Sequence, residues 1–167
     1  MIIITVHGTP VQQGSKTIAY AKGPKGRRPV LRDANANELK TWRRQIVNAA
    51  KIALHPHQPW TPYDGPVHVT INYTFRRPQH HYRTGRHADQ LRDDAPTYRH
   101  QTPDRDKLDR AINDALTEAG VWTDDAVNVA GSSTKGYCDR DDTPGATITI
   151  TPIIPPGMLN LEEEGAQ

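Results

Sequence analysis

Val67-His68-Val69-Thr70-Ile71-Asn72-Tyr73-Thr74-Phe75 alternates between apolar and polar side chains without a break. Successive side chains of a strand point to opposite faces, so this stretch reads as a β-strand with one face buried. Val67, Val69, Ile71, Tyr73 and Phe75 form its inward set. Something must cover that face, and two helical patterns are available. Upstream, residues 36–54 place Leu39, Trp42, Ile46, Ala50 and Ala53 on one stripe at spacings of three and four. Asn35 or Asn37 suits its start, and Pro56, Pro59 and Pro62 lie beyond its end. Downstream, residues 104–119 carry an apolar stripe of Leu108, Ala111, Ile112, Ala115, Leu116 and Ala119. Thr102 is a suitable cap there, Pro103 suits the first helical position, and Gly120 stops the pattern. Ile2–Val6, Asp125–Ala130 and Ala146–Ile150 read as further strands. The order strand, helix, strand, helix, strand, strand predicts an α+β (mixed α/β) fold: a single mixed sheet with two main helices packed on it.

A chain of 167 residues suits one domain and buries enough surface to fold without cross-links. A single cysteine, Cys138, excludes an internal disulfide and suggests a reducing compartment. No apolar run is long enough to span a membrane. The opening Met1–Val6 lacks a basic segment and a cleavage site, so a strand is expected there, not a signal peptide. A cytoplasmic protein is the expectation.

The net charge of +2 conceals an asymmetry. Residues 1–100 hold 16 Lys and Arg against 6 Asp and Glu, a balance of +10; residues 101–167 hold 5 against 13, a balance of −8. A basic half suits a polyanion such as DNA, and an acidic cluster tolerates one only with cations bound. The same numbers also fit two solvated faces that offset each other. Lys22, Lys25, Arg27, Arg28 and Arg32 fall in an eleven-residue stretch with two Gly and two Pro, 22–32, which is expected to be an irregular basic loop. Residues 76–103 form a long polar segment rich in Arg and His, with Tyr82 and Tyr98 available to stack on exposed bases. Its four histidines lack cysteine companions and the spacing of a zinc site. The segment 158–167, with Glu162–Glu164, is expected to be a disordered acidic tail.

Chemistry concentrates in Asp104-Arg105-Asp106-Lys107 and, further on, Asp124-Asp125. Asp104 sits at the helix start. Asp106 shares a polar face with Asp109, Arg110, Asn113 and Asp114. Two carboxylates two residues apart, joined by a pair from the next element, make a hard-oxygen cage suited to Mg²⁺. Metal-assisted phosphodiester hydrolysis needs such a cage, with a cation such as Arg110 nearby to offset developing charge. Spacing alone leaves a plainer explanation open: Asp is favoured in the first turn of a helix, and Asp pairs suit turns.

Pro103-Asp104-Arg105-Asp106-Lys107-Leu108, then Asp114-Ala115-Leu116, then Gly120-Val121-Trp122-Thr123-Asp124-Asp125-Ala126-Val127 resembles the signature of the RusA family of crossover junction endodeoxyribonucleases. That pattern runs P-D-x-D-N-L, a helix ending D-A-L, a glycine-containing loop, and D-D-x-x-V. Val6–Lys16 resembles the family's first strand and loop, and the likeness covers most of residues 1–150. The resemblance implies a homodimeric, Mg²⁺-dependent resolvase, bacterial or phage-encoded, with Mn²⁺ as a substitute metal. It would cut four-way DNA by paired nicks in recombination and repair, using residues 1–157 as its nuclease domain. The essential carboxylates fall on Asp104, Asp106 and Asp125, with Asp124 at the adjacent acidic position. Two positions depart from the pattern: Lys107 stands where Asn is common, and Arg110 where the family has a helix lysine.

Given that resemblance, Lys22, Lys25, Arg27, Arg28 and Lys107 are the expected DNA contacts. The alternative is a branched-DNA-binding module that cuts weakly or not at all, because of Arg110 and Lys107. A third reading is a structural or phosphate-binding protein with chance acidic clusters. One geometric difficulty is visible already. A helix over 105–119 is about 22 Å long, which leaves Asp125 far from Asp106. Either the following loop runs back along the helix, or a partner subunit completes the site.

Overall fold

The computed structural model describes residues 1–14, 16–23, 26–33 and 35–154. Six strands and two helices follow one another: β1 (Ile2–His7), β2 (Lys16–Gly23), β3 (Gly26–Asp33), α1 (Ala36–Leu54), β4 (Val67–Arg76), α2 (Arg105–Glu118), β5 (Asn128–Cys138) and β6 (Gly145–Pro152). One mixed sheet has the order β1-β6-β4-β5. Its first two pairings are antiparallel and β4–β5 is parallel. The α+β architecture is therefore as expected. The short tail beyond residue 157 lies outside the described residues.

The alternation of β4 puts Val67, Val69, Ile71, Tyr73 and Phe75 into the core, as read from the sequence. Ile4 and Val6 of β1 and Ile148 and Ile150 of β6 share that face. Trp42 and Ile46 of α1 and Leu108, Ile112 and Leu116 of α2 cover it, in one continuous cluster. The opposite face exposes Ile3, Thr5, His68 and Asn72. Both helices thus lie on one side of the sheet. Trp122 belongs to this core, its indole N–H donating to Thr117 Oγ1 at 2.7 Å. Cys138 is buried and donates to the Phe75 carbonyl. Gly120, at φ +75°, takes the left-handed position that ends α2.

Three local expectations are corrected. The basic stretch 22–32 is not wholly irregular: much of it belongs to a separate antiparallel ribbon, β2–β3, in which Lys22 pairs with Arg27 and Gly23 with Gly26. A two-stranded ribbon has only edges, so Pro29 fits where no ladder bond is required. The segment 125–130 is not one strand. Asp125–Val127 make a 3₁₀ turn, set by Asp124 Oδ1 accepting from the Ala126 amide at 2.8 Å, and β5 starts at Asn128. Helix α2 starts after Asp104, which occupies the cap position expected of Thr102.

Segment 77–103 is tied down by arginines, two of its own and one from beyond β5. Arg77 donates to the Pro96 carbonyl at 2.8 Å, Arg83 pairs with Asp93 at 2.7 Å, and Arg140 donates to the Ala88 carbonyl at 2.8 Å. The Arg140 guanidinium also covers the Tyr82 ring, 4.3 Å from its centroid. Tyr82 is buried, so it is not available to stack on a base; Tyr98 is exposed.

Candidate active site at the start of helix α2

The polar side of α2 lies along β5, and their contacts fix a direction. Asn128 Nδ2 donates to Asn113 Oδ1 at 3.4 Å, Ser133 Oγ to Asp109 Oδ2 at 2.7 Å, and Lys135 Nζ to the Pro103 carbonyl at 2.7 Å. As β5 advances, its partners move back toward the helix start. The two elements are therefore antiparallel, and Asp124-Asp125, just before β5, lie at the far end of α2 from Asp104 and Asp106. Asn113 is seven residues beyond Asp106, about 10 Å of helix, and Asp125 precedes Asn113's partner Asn128 by three more. Among the described residues, no group of three His, Cys, Asp or Glu side chains gathers as a metal ion would require. The loop after α2 does not fold back to close that distance. Asp104 and Asp106 therefore stand apart from Asp124 and Asp125 within one chain.

Asp104 is exposed and its carboxylate is not spent as a helix cap. Its Oδ2 accepts from Lys107 Nζ at 2.7 Å. That hydrogen bond and the ammonium's charge hold the Asp104 carboxyl below the usual carboxylate range and raise Lys107 correspondingly. Asp106 and Arg110 are both exposed, one turn apart on the helix. Asp109 is turned instead toward the sheet, where Tyr73 and Ser133 both donate to it. Asp114 faces α1 and pairs with Arg43 at 3.4 Å.

The backbone around Asp104 is held by residues distant in sequence. The Asp104 amide donates to Gln12 Oε1 at 2.7 Å, and the Gln13 amide donates to the Lys107 carbonyl at 3.0 Å. Asn35 Nδ2 donates to the Gln12 carbonyl at 3.0 Å. Gln12 and Gln13 precede β2 and Asn35 follows β3, so the root of the ribbon is anchored on the first turn of α2. Arg27 and Arg28 are exposed on that ribbon. Lys25 and the Lys22 side chain lie outside the described residues. Lys107 faces Asp104 and not open solvent alone. From the β5 side, Lys135 Nζ bridges the Gln101 and Pro103 carbonyls at 2.9 and 2.7 Å. Burial, then the neighbouring Arg99, lowers the Lys135 ammonium from its ordinary range, against the opposing pull of Asp104.

Neither Gln12 nor Lys135 is among the residues that the sequence places at the site. The signal for Gln12 lay in Val6–Lys16, whose likeness to the family's opening segment singled it out without assigning it a task. No curated protein matches the chain. The profile of endodeoxyribonuclease RusA matches residues 9–151. That span includes both carboxylate clusters, the ribbon, Gln12 and Lys135, and most of the chain, so this protein belongs to the RusA endodeoxyribonuclease family.

Proposed function

We propose that this protein is a divalent-metal-dependent resolvase of four-way DNA junctions, acting as a homodimer in recombination and repair. The observation that carries the reading is the pair Asp104 and Asp106: exposed, clear of the core, and with Asp104 held ionised, in a chain of an endodeoxyribonuclease family. Asp104, Asp106 and Asp125, with Asp124 beside it, would hold Mg²⁺ or Mn²⁺. Such an ion, when bound, lowers the pKa of water and stabilises the attacking and leaving oxygens of the phosphodiester.

The chain's own residues supply the rest. Asp104 and Asp106 provide hard oxygen donors at the positive end of the α2 dipole, which favours their charge. Arg110, one turn on, offsets charge on the phosphate as it is attacked. Arg27 and Arg28 of the ribbon, together with Lys22, Lys25 and, beside the carboxylates, Lys107, contact phosphates. Since the two carboxylate clusters stand at opposite ends of α2, we favour a site shared across the dimer, with Asp125 of one subunit meeting Asp104 and Asp106 of the other. Two such sites related by a two-fold axis match a junction in which two opposed strands are nicked. No described helix is long and apolar enough to cross a membrane; action on DNA in the cytoplasm of a bacterium, or during phage infection, is the setting proposed.

A second reading has one observation in its favour. Lys107 stands where the family commonly has Asn, and its ammonium occupies an Asp104 oxygen at 2.7 Å. A chain whose carboxylate is neutralised in this way would grip branched DNA and cut it poorly. Cleavage of a labelled synthetic four-way junction, in Mg²⁺ or in EDTA, by wild type and Asp106→Asn separates the two. Mg²⁺-dependent paired nicks near the crossover, lost in the variant with binding retained, support the resolvase. Tight binding without cleavage in Mg²⁺ or Mn²⁺ supports the binding module, and no binding at moderate salt sinks both.

A further inference from the structure

We propose that Gln12 and Lys135 are positioning residues that together clamp the Pro103–Asp104 peptide and so aim the Asp104 carboxylate. The inference rests on the reading of Asp104 as a metal-holding carboxylate. The Pro103 carbonyl and the Asp104 amide belong to one planar unit. Lys135 Nζ donates to the carbonyl edge at 2.7 Å, and Gln12 Oε1 accepts from the amide edge at 2.7 Å. A plane gripped on both edges cannot rotate about the bonds that flank it. The backbone of Asp104, at φ −69° and ψ 136°, is therefore set from two sides, and with it the direction of its Cβ.

Helix capping explains why the clamp is needed. An aspartate at the N-cap ordinarily spends its carboxylate on the amides of the first turn. In a capping box, the third helical residue returns the favour by accepting from the N-cap amide. Here Asp104 makes no side-chain cap bond, and the third helical residue is Lys107, which has no acceptor. Gln12, 92 residues away in sequence, accepts from the N-cap amide in its place. The structural task thus passes to Gln12, and the Asp104 carboxylate, not spent on the cap, is left to the Lys107 ammonium and the solvent.

Neither holder is itself loose. The Gln12 backbone is fixed by Asn35 Nδ2, and the next amide, Gln13, bonds to the Lys107 carbonyl. Lys135 projects from β5, whose pairing with β4 sets it opposite Tyr73, and it holds the Gln101 carbonyl as well. One holder comes from the ribbon root and the other from the sheet, so the start of α2 is fixed to both bodies of the fold.

The test uses full-length Gln12→Ala, Gln12→Glu and Lys135→Arg with two readouts. The first is hydrogen exchange of the Asp104 amide in metal-free protein. Exchange should quicken about tenfold or more in Gln12→Ala and return toward wild type in Gln12→Glu, which keeps the acceptor, because a bond worth roughly 1.4 kcal/mol protects tenfold. Amides of the β4 core should be unchanged. The second is single-turnover cleavage of a four-way junction in Mg²⁺. Gln12→Ala should cut roughly 100-fold more slowly with junction Kd unchanged, the scale expected when a reacting group is misplaced by about 1 Å. Gln12→Glu and Lys135→Arg, which keep the acceptor and the cationic donor, should each retain most of the wild-type rate. An Asp104 amide that exchanges equally fast in wild type and Gln12→Ala overturns the clamp itself. A protected amide with undiminished cleavage in Gln12→Ala overturns its positioning role. Absence of cleavage by wild type in Mg²⁺ and Mn²⁺ is a failure of the nuclease reading, and takes the positioning role with it even if the amide remains protected.

Discussion

The Tyr73 hydroxyl donates to Asp109 Oδ1 at 2.9 Å, joining the central strand to the polar side of α2. Ser133 of β5 donates to the other carboxylate oxygen at 2.7 Å, so Asp109 ties three elements together. Tyr73 is 1% exposed. Burial first, then the Asp109 charge and hydrogen bond, raise the phenol far above its ordinary range, so it stays a neutral donor at every working pH.

Tyr73→Phe removes one charge-assisted bond and should cost about 1.5–3 kcal/mol of stability. Asp109→Ala should cost more, because it strands two hydroxyls at once, and Asp109→Asn less, because one acceptor survives. Urea denaturation with the slope held constant measures all three. A Tyr73→Phe midpoint indistinguishable from wild type would show that water replaces the contact without loss.

The Asp104–Lys107 pair makes a prediction about protonation. Lys107 lowers the Asp104 carboxyl, by its hydrogen bond first and its charge second. A carboxylate depressed in the folded state contributes stability above its unfolded pKa, about 3.9, that is lost as pH falls through the folded value. Lys107→Asn should therefore raise the Asp104 midpoint toward the ordinary carboxylate range, as followed by carboxyl-carbon NMR titration. Both groups are substantially solvent-accessible, so high salt should shrink the difference between variant and wild type. An unchanged midpoint in Lys107→Asn would mean that the pair does not persist in solution.

How much of this was legible in the sequence depends on whether the signal is local. Val67–Phe75 and the stripe from Leu108 to Ala119 record their burial in their own periodicity, so β4 and α2 could be read directly. β5 could not. Its stretch Gly131-Ser132-Ser133-Thr134 lies at a sheet edge, is largely exposed, and has no apolar alternation to display. At Gly131 the reason is steric: a Cβ there would collide with the Val69 carbonyl. The ribbon was hidden by Gly and Pro, which break a central strand but not one with a free edge. The carboxylates themselves were visible through the likeness to the RusA pattern. Their holders were not, because Gln12 and Lys135 meet the Pro103–Asp104 peptide across 92 and 32 residues of chain.

His81 offers a pH test away from the site. It is 7% exposed, stacks edge-on against Tyr137 at 5.2 Å, and its Nδ1 has no hydrogen-bond partner. Burial lowers its pKa, with His80, Arg77 and His100 adding to the effect and Asp94 opposing it. A histidine depressed in the folded state binds fewer protons than the unfolded chain below about pH 6.5, so stability falls as pH drops from there toward the folded value. Unfolding midpoints at pH 7.5 and 5.5 should differ more in wild type than in His81→Phe. Equal differences would assign the acid sensitivity to other groups.

The opposed ends of α2 give the sharpest test of a shared site. If Asp125 of one subunit completes the cage begun by Asp104 and Asp106 of the other, Asp106→Asn and Asp125→Asn homodimers each lose both sites. A mixed dimer behaves differently. The subunit carrying Asp106→Asn still donates an intact Asp125, and its partner still carries intact Asp104 and Asp106, so one of the two sites is whole. Mixing the two inactive proteins, with subunit exchange, should restore nicking of one strand of a four-way junction without the paired second nick. With sites confined to single chains, each subunit of the mixed dimer remains defective and no activity returns. Quantified nicks at equimolar mixing therefore decide between the two arrangements, and about half of the dimers formed by random exchange should be the active species.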